Sequence, residues 1–292
     1  MPSPAAGVEI WAKIETANPT GSVKDRTARW MLDAAEASGA LGPGGTIVES
    51  SSGNTGIALA ALGGHRGYRV IIVCSERVPK EKLDLLTMLG AEIVQVPDAE
   101  LGTDMHYLAR ATDLADEVRG VFLNQYENKA NPLAHYESTG PEIWAQLDGR
   151  IDVLVAGGGT GGTISGTARY LKERDPHIQV VLADPVGSIY AHFHASGELR
   201  DPVRYEVEAV GQAERMIPGS IDVSVIDRVI SVPDDESFAA ARAANEAGVL
   251  CGPSSGLALA ACAQVAAEMP PGTRIATVLP DSAERYLSKG RR

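Results

Sequence analysis

Asn18-Pro19-Thr20-Gly21-Ser22-Val23-Lys24-Asp25-Arg26 places one lysine on a loop of glycine and small polar residues, directly before an amphipathic helical pattern. Further along the chain, Ser50-Ser51-Ser52-Gly53-Asn54-Thr55-Gly56 forms a second loop of hydroxyl and amide side chains at a strand-to-helix turn. A reactive lysine that faces such hydrogen-bond donors can hold an amino acid as a Schiff base and bind its carboxylate. Either loop alone is weak evidence for this chemistry.

Outside these two loops, short apolar runs alternate with helical patterns. Residues 69–74 and 151–156 are mostly apolar rather than alternating, which is typical of strands buried on both faces of a parallel sheet. The number of such units predicts an α/β fold with two lobes, each a mainly parallel sheet flanked by helices. We expect a smaller lobe at 17–130 and a larger lobe at 1–16 plus 131–292, with the seam in the polar stretch 124–137. Loops at the carboxyl ends of strands can then share one cleft.

Composition excludes several classes of function. The formal charge of −12 over 292 residues argues against non-specific binding of nucleic acid or of an anionic membrane. No signal peptide and no apolar run of membrane-spanning length is visible. The three cysteines, Cys74, Cys251 and Cys262, are an odd number without CxxC spacing, so we expect a reduced, cytoplasmic compartment. No metal site is expected.

A glycine-rich loop, Gly157-Gly158-Gly159-Thr160-Gly161-Gly162-Thr163, follows a predicted strand and opens a predicted helix. Glycines allow close backbone approach, and the free amides with the helix dipole make a cradle for an anion such as phosphate. The same loop satisfies G-x-G-x-x-G, and Asp184 ends the next strand near the position of a ribose-binding acid. An NAD-linked oxidoreductase is therefore an alternative, although it gives Lys24 no role.

The fourth segment, Cys251-Gly252-Pro253-Ser254-Ser255-Gly256, precedes an alanine-rich helical pattern. A serine that caps the helix after a stiff proline turn explains it without any ligand. A functional interpretation instead places one serine hydroxyl on the ring nitrogen of a cofactor. Taken alone, this segment favours the capping interpretation, and Cys251 is expected to be a small buried residue.

Together the four segments resemble the cysteine synthase and cystathionine β-synthase family, the fold-type-II pyridoxal-phosphate enzymes, over nearly the whole chain. Residues 18–26 resemble its Schiff-base lysine motif, residues 52–56 its substrate-carboxylate loop and residues 159–163 its phosphate loop. Asn131-Pro132-Leu133-Ala134-His135-Tyr136 and Leu279-Pro280-Asp281-Ser282 are supporting matches.

The resemblance implies a role for each loop and pyridoxal 5′-phosphate as the cofactor. Lys24 would hold the cofactor as a Schiff base and act as the base at Cα. The phosphate would be bound by Gly159, Thr160, Gly161, Gly162 and Thr163. Asn54 would bind the 3′-oxygen of the ring and Ser254 the ring nitrogen. The substrate carboxylate would be held by Ser51, Ser52, Thr55 and Gln125.

The resemblance also implies the reaction. A serine hydroxyl cannot keep the ring nitrogen protonated as an aspartate would, so the ring is a weaker electron sink and loss of a group from Cβ is the easier exit. We expect β-replacement on serine, O-acetylserine or O-phosphoserine through an aminoacrylate. A thiol, sulfide or amine nucleophile would then give cysteine, cystathionine or a related β-substituted alanine. A diaminopropionate-type synthase with an amine nucleophile and a non-catalytic relative remain alternatives. The resemblance implies a homodimer.

Three departures from the family pattern carry further expectations. The initial Gly-Asn-Thr-Pro-Leu segment of the family is missing, which leaves the start of the chain and the dimer contact open. Ser51 stands where the family usually has threonine, so the substrate or leaving group can differ. Since neither a haem-binding extension nor a C-terminal regulatory domain is seen, a haem-free enzyme is expected.

Several other polar residues are set aside. His192 and His194 alternate in sequence without a neighbouring Cys/His cluster, and we expect a mobile loop over the cleft there. Lys13, Lys80 and Lys82 lack a glycine and hydroxyl setting, and they are expected to be solvated.

Overall fold

The computed structural model describes residues 6–51, 53–99 and 101–289, and within them the chain folds into two parallel β-sheets flanked by helices. The two-lobed α/β architecture is therefore confirmed, while the exact lobe boundaries at residues 17 and 130 stay a prediction. The strands are, in chain order, β1 (Glu9–Ile14), β2 (Thr46–Ser50), β3 (Arg69–Ser75), β4 (Glu92–Val96), β5 (Val121–Phe122), β6 (Val153–Gly157), β7 (Gln179–Pro185), β8 (Arg228–Val232) and β9 (Arg274–Leu279).

The helices lie mainly between successive strands, as expected for crossover connections in parallel sheets. In chain order they are α1 (Lys24–Ala37), α2 (Asn54–His65), α3 (Lys80–Met88), α4 (Tyr107–Glu117), α5 (Ala130–Ala134), α6 (Gly140–Gln146), α7 (Gly162–Lys172), α8 (Tyr190–Ser196), α9 (Asp234–Glu246) and α10 (Pro253–Glu268).

The sheet of the larger lobe has the order β1-β9-β6-β7-β8. Its middle strand β6 is buried on both faces. Leu154 and Ala156 pack into one hydrophobic cluster together with α7, whereas Val153 and Val155 pack into the opposite cluster together with α10. Because successive strand residues point to opposite faces, burial on both sides requires the unbroken apolar run seen in the sequence.

The sheet of the smaller lobe has the order β4-β3-β2-β5 and follows the same plan. Ile47 packs with α1 and α2 on one face, and Val48 packs with α4 on the other. The loops after β2, β6 and β9 all leave the carboxyl ends of their strands. These ends face the seam between the lobes, which is where open α/β sheets place ligands.

Two regions differ from the sequence-based expectation. The polar seam predicted for residues 124–137 contains helix α5 and leads through a π-helical turn, His135–Thr139, into α6. The predicted mobile loop at His192 and His194 is helix α8, in which His194 Nε2 lies 3.0 Å from the carbonyl oxygen of Ile226. In the described part of the chain, no helix combines the length and apolarity needed to cross a membrane.

Candidate active site

A cavity of about 420 Å³ lies between the lobes, at the carboxyl ends of the strands. Its volume falls within the usual range for small-molecule sites. Nearly all of the predicted site residues line it. They are Lys24, Ser51, Asn54, Thr55, Gln125, Gly159, Thr160, Gly161, Thr163 and Ser254.

Lys24 is the first residue of α1 and reaches across the cavity toward the glycine-rich loop. Its Nζ lies 3.5 Å from Thr160 Oγ1, at the outer limit of a hydrogen bond. The loop before α1 is fixed by Asp25, whose carboxylate accepts hydrogen bonds from the Thr20 N–H and hydroxyl and from the Ser22 N–H. Asp25 therefore sets the start of the helix and the direction in which Lys24 extends.

The surroundings of Lys24 favour its neutral form. Burial lowers the pKa of Lys24 to about 8, an effect opposed by the negative charge of Glu49. Burial in turn raises the pKa of Glu49, opposed by backbone N–H groups and by the Lys24 charge. Glu49 Oε1 accepts a hydrogen bond from the Gln125 N–H at 3.3 Å. Its Oε2 has no hydrogen-bond partner among the described residues. Near neutral pH a useful fraction of Lys24 can thus act as a nucleophile or base.

The glycine-rich loop requires its glycines. Gly161 has φ +85°, and a Cβ there would overlap the side chain of Ile221. Gly162 opens α7, and a Cβ there would collide with the amide of Asn131. The backbone amides at the start of this eleven-residue helix, with its dipole, form the predicted anion cradle, although Gly162 itself does not line the cavity among the described residues.

Two residues behind this loop were not among the predicted site residues. Asn131 Nδ2 donates to Thr160 Oγ1 at 2.9 Å and to the Gln125 carbonyl at 2.8 Å. His135 Nε2 lies 3.2 Å from Thr163 Oγ1. Burial, aided by the charges of Lys24 and Arg26, holds the pKa of His135 well below its usual range, so its ring is neutral. Both residues lie in a supporting motif to which no role was given.

The loop after β2 is also built around hydrogen bonds. Ser51 Oγ accepts the N–H groups of Gly53 and Gly56, at 3.2 and 3.0 Å, and so caps α2 while its own proton remains available. Thr55 Oγ1 donates to Gln125 Oε1 at 2.6 Å. These three polar side chains converge on one wall of the cavity. Ser52, the fourth predicted carboxylate contact, lies outside the described residues.

Ser254 also lines the cavity, from the first turn of α10. Its side chain is buried, and its Oγ has no hydrogen-bond partner in the described ranges. A buried hydroxyl that faces a cavity and is left unpaired is an incomplete arrangement that a ligand can complete. Nearby Cys251 is buried, and burial raises the pKa of its thiol to about 11, in agreement with the expected small buried residue.

Asn54 contacts the far lobe with both ends of its amide. Its Nδ2 donates to Asp281 Oδ2 at 2.7 Å, and its Oδ1 accepts from Arg285 Nη1 at 2.5 Å. Asp281 lies in a supporting motif of the sequence, and neither Asp281 nor Arg285 was predicted as a site residue. No local signal could reveal this contact, since Asp281 is 227 residues away from Asn54.

Two charged pairs line the cavity. Lys82 forms an ion pair with Glu208 at 2.9 Å, and Arg77 forms one with Asp98 at 2.8 Å.

The expectation that Lys82 is solvated is wrong, because its side chain is only 5% exposed. Lys13 is likewise shielded, at 9% exposure, by an ion pair with Glu142, whereas Lys80 is exposed as expected.

Asp184 does not occupy a ligand-binding position. It is fully buried, its Oδ2 accepts the N–H of Ala191 at the start of α8, and it does not contribute to the cavity within the described residues. The residue that the nicotinamide alternative needs for ribose binding thus has a structural role. The residues described here also contain no group of three or more His, Cys, Asp or Glu side chains arranged for a metal ion.

Comparisons with known proteins agree with this geometry. A family model described as "Pyridoxal-phosphate dependent enzyme" matches residues 2–281. The chain is 46% identical to cystathionine beta-synthase of Apis mellifera, over 96% of this chain and 56% of that protein. It is 39% identical to O-acetylserine dependent cystathionine beta-synthase of Bacillus subtilis (strain 168), over 97% and 89%.

Solved structures of two related enzymes are also similar to this chain. The O-acetylserine dependent cystathionine beta-synthase from Helicobacter pylori matches with a TM-score of 0.89 and 37% identity, over 98% of this chain and 90% of that chain. An O-ureido-L-serine synthase structure also matches with a TM-score of 0.89, at 35% identity, over 97% and 87%. The chain spans about half the length of the first curated relatives it matches.

Proposed function

We propose, from the premise that this chain belongs to the family of pyridoxal-phosphate dependent enzymes, that it catalyses β-replacement on serine or an O-activated serine. The observation that carries the proposal is the approach of Lys24 Nζ to Thr160, 3.5 Å away, across a cavity that both lobes line. A lysine with a lowered pKa and an anion cradle are thereby brought within the length of one cofactor.

The residues present fit pyridoxal phosphate. The start of α7 offers backbone amides to a phosphate, and Gly161 leaves room that a Cβ would fill. Ser254 supplies an unpaired buried hydroxyl, as the contact to the ring nitrogen requires. Asn54 also lines the cavity. When bound, the cofactor supplies an electron sink for the substrate Cα.

The chain's own residues then account for substrate binding and proton transfer. Ser51 and Gln125 offer side-chain donors suited to an α-carboxylate, and Thr55 holds the Gln125 amide in place through its hydroxyl. With pyridoxal phosphate bound, Lys24 would remove the proton at the substrate Cα, and its lowered pKa suits this task near neutral pH. Ser254, unlike a carboxylate, would leave the ring nitrogen without a proton, which would favour loss of the Cβ substituent over transamination.

We propose a thiol-bearing amino acid as the nucleophile, with cystathionine as the product class. The pairs Lys82–Glu208 and Arg77–Asp98 place both signs of charge on the lining of the cavity. Such a lining matches the ammonium and carboxylate groups of a second amino acid, which sulfide lacks. The relatives of this chain that are named cystathionine beta-synthase support the same choice.

Visible absorption of the purified protein tests the reaction class. We expect a yellow band that is absent in Lys24→Ala, and that changes to a new band when serine, O-acetylserine or O-phosphoserine is added. The donor that produces the change identifies the leaving group. The nucleophile is identified by adding homocysteine, cysteine, sulfide and a small amine in turn. Only the accepted nucleophile should restore the first band. A response to the amine would favour a diaminopropionate-type synthase. A protein that takes up no added pyridoxal phosphate would exclude the proposal.

Two adjacent serines provide a matched control for cofactor placement. Ser254→Ala should shift the absorption band and weaken cofactor binding, because Ser254 lines the cavity. Ser255→Ala removes an equally buried hydroxyl from the same helix, at a position that is not part of the described cavity wall. Equal effects of the two substitutions would contradict the assignment of Ser254.

We also propose a homodimer located in the cytoplasm, without nucleic-acid or membrane partners. The net charge of −12 and three free, buried cysteines support the compartment and the absence of those partners. Analytical ultracentrifugation of the full chain tests the oligomeric state, and a monomer at micromolar concentration would contradict it.

A further inference from the structure

The amide of Asn54 is held at both ends by charged groups of the larger lobe. Asp281 Oδ2 accepts from Nδ2 at 2.7 Å, and Arg285 Nη1 donates to Oδ1 at 2.5 Å. Asp281 is fully buried and Arg285 is 6% exposed. Both bonds involve an ionised partner, and such hydrogen bonds are about twice as strong as neutral ones.

These two contacts permit only one orientation of the amide. A 180° flip would turn the Asn54 oxygen toward the Asp281 carboxylate and its NH₂ group toward the Arg285 guanidinium. Each flipped contact would place like partial charges together in a shielded environment, where electrostatic interactions are strong. The two charges therefore fix which Asn54 atom points in which direction.

One hydrogen of the Asn54 NH₂ group remains after Asp281 has accepted the other. Asn54 lines the cavity, and the far-lobe contacts occupy its oxygen and one N–H. We propose that Asp281 and Arg285 are positioning residues that lock the Asn54 amide, so that its second N–H always faces the 3′-oxygen of the cofactor ring. This inference rests on the proposed function and assigns roles to two residues beyond it.

The neighbours of Asp281 hold its carboxylate in place. Tyr286 donates its hydroxyl to the same Oδ2 at 2.5 Å. A side chain at Gly252 would collide with Asp281 Oδ1, so the absence of a Cβ at Gly252 makes room for the carboxylate. The backbone of Gly252 also donates to the Asp281 carbonyl at 3.0 Å, two residues before Ser254. Asp281 thus contacts both Asn54 and the backbone segment that leads into Ser254.

A double-mutant cycle tests whether Asp281 and Arg285 act through Asn54. In the reconstituted protein, we expect Asp281→Asn combined with Arg285→Met to weaken pyridoxal-phosphate affinity about tenfold, which is about 1.4 kcal/mol. The same substitutions in the Asn54→Ala background should change affinity less than twofold, since no amide is left to orient. Asp227→Asn combined with Lys172→Met removes an ion pair whose residues are not part of the described cavity wall, and this matched control should stay within twofold of the wild type.

Spectra supply readouts that do not depend on turnover. The tautomer balance of the bound cofactor, seen as the ratio of its near-ultraviolet and visible bands, should change in the Asp281/Arg285 variant and in Asn54→Ala in the same direction. In the cofactor-free protein labelled with [¹⁵N]asparagine, one Asn54 amide proton should be shifted downfield by Asp281. That signal should move upfield in Asp281→Asn.

The outcomes separate this inference from the proposed function. Additive losses of affinity in the Asn54→Ala background, or an unchanged Asn54 signal in Asp281→Asn, would overturn the positioning role even if the wild type binds the cofactor well. A wild-type chain that binds no pyridoxal phosphate would overturn both proposals.

Discussion

Lys82 Nζ and Glu208 Oε2 lie 2.9 Å apart and join helix α3 of the smaller lobe to the loop that follows β7 and α8 in the larger lobe. The two residues are 126 positions apart in the chain. Lys82 also lies over the ring of Tyr286, 4.8 Å from its centre. A charged pair with so little exposure on the lysine side holds the two walls of the cleft together.

Glu208→Gln should therefore lower both substrate affinity and stability. We expect KM for the thiol-bearing amino acid to rise at least fivefold, whereas the rate with sulfide should change less than twofold. Because the buried ammonium of Lys82 loses its carboxylate, the free energy of unfolding should fall by about 1–3 kcal/mol. Steady-state kinetics with both nucleophiles and urea unfolding measure the two effects.

The double variant Lys82→Met with Glu208→Gln is the control for stability. Replacing both members of a buried ion pair is less costly than removing one, so this variant should recover part of the lost stability without recovering KM. Equal changes in KM for both nucleophiles would contradict the proposed recognition of a second amino acid.

Much of the site was visible in the sequence because its parts are local. Lys24 with its loop and the glycines at 157–162 each lie within one strand-to-helix turn, where turn chemistry and apolar periodicity are readable. What the sequence concealed depends on distant partners. Lys82 has the sequence setting of a surface residue, and its burial depends on contacts with Glu208 and Tyr286, both far along the chain.

The same distinction explains the errors in the fold. Helices α5 and α6 are five and seven residues long, and Pro132 and Pro141 lie within them. Isolated helices of this length are unstable, so tertiary packing stabilises them rather than a periodic pattern. Helix α8, with seven residues, escaped prediction for the same reason. The long helices and buried strands carried enough periodicity to be assigned from the sequence.

The glycine-rich loop predicts a difference between two substitutions with similar backbone strain. Gly161→Ala and Gly39→Ala both place alanine at positive φ, +85° and +74°, which costs roughly 1–2 kcal/mol. Only the Cβ at 161 also meets another side chain, Ile221, whereas nothing lies within 4 Å at 39. Gly161→Ala should thus lose at least tenfold in pyridoxal-phosphate affinity, measured by titration of the cofactor-free protein. Gly39→Ala should lose stability alone, and an equal loss of affinity there would contradict the cradle.

The ion pairs of Arg26 predict a dependence of stability on acid pH. Hydrogen bonds from Arg26 hold the pKa of Glu142 at about 2, with Lys13 adding to the effect and burial opposing it. Since the folded pKa is below the unfolded one, Glu142 contributes stability above about pH 4.5 and loses it as the pH falls toward 2. The contribution is moderate, because 41% of the side chain is exposed and solvent screens the charge.

Glu142→Gln measures this contribution. The variant should be less stable than the wild type at pH 7, and the difference in free energy of unfolding should shrink as the pH is lowered from about 4.5 toward 2. Urea titrations at several pH values give the difference directly. Glu246→Gln, at an exposed position at the end of α9, is the control. A difference that stays constant down to pH 2 would contradict the role of the Arg26 pair.

The last prediction concerns the proton on Lys24. Because burial lowers its pKa to about 8, about a tenth of the lysine is neutral at pH 7, and the rate at which the cofactor-free protein captures pyridoxal phosphate should rise through pH 8 and then level off. The Glu49 charge opposes this shift, so Glu49→Gln should move the midpoint to lower pH. Stopped-flow absorbance at a series of pH values measures the midpoint. Glu92→Gln, on an exposed strand position of the smaller sheet, should leave it unchanged. An unchanged midpoint in Glu49→Gln would show that Glu49 is uncharged in the wild type, and that burial alone sets the pKa of Lys24.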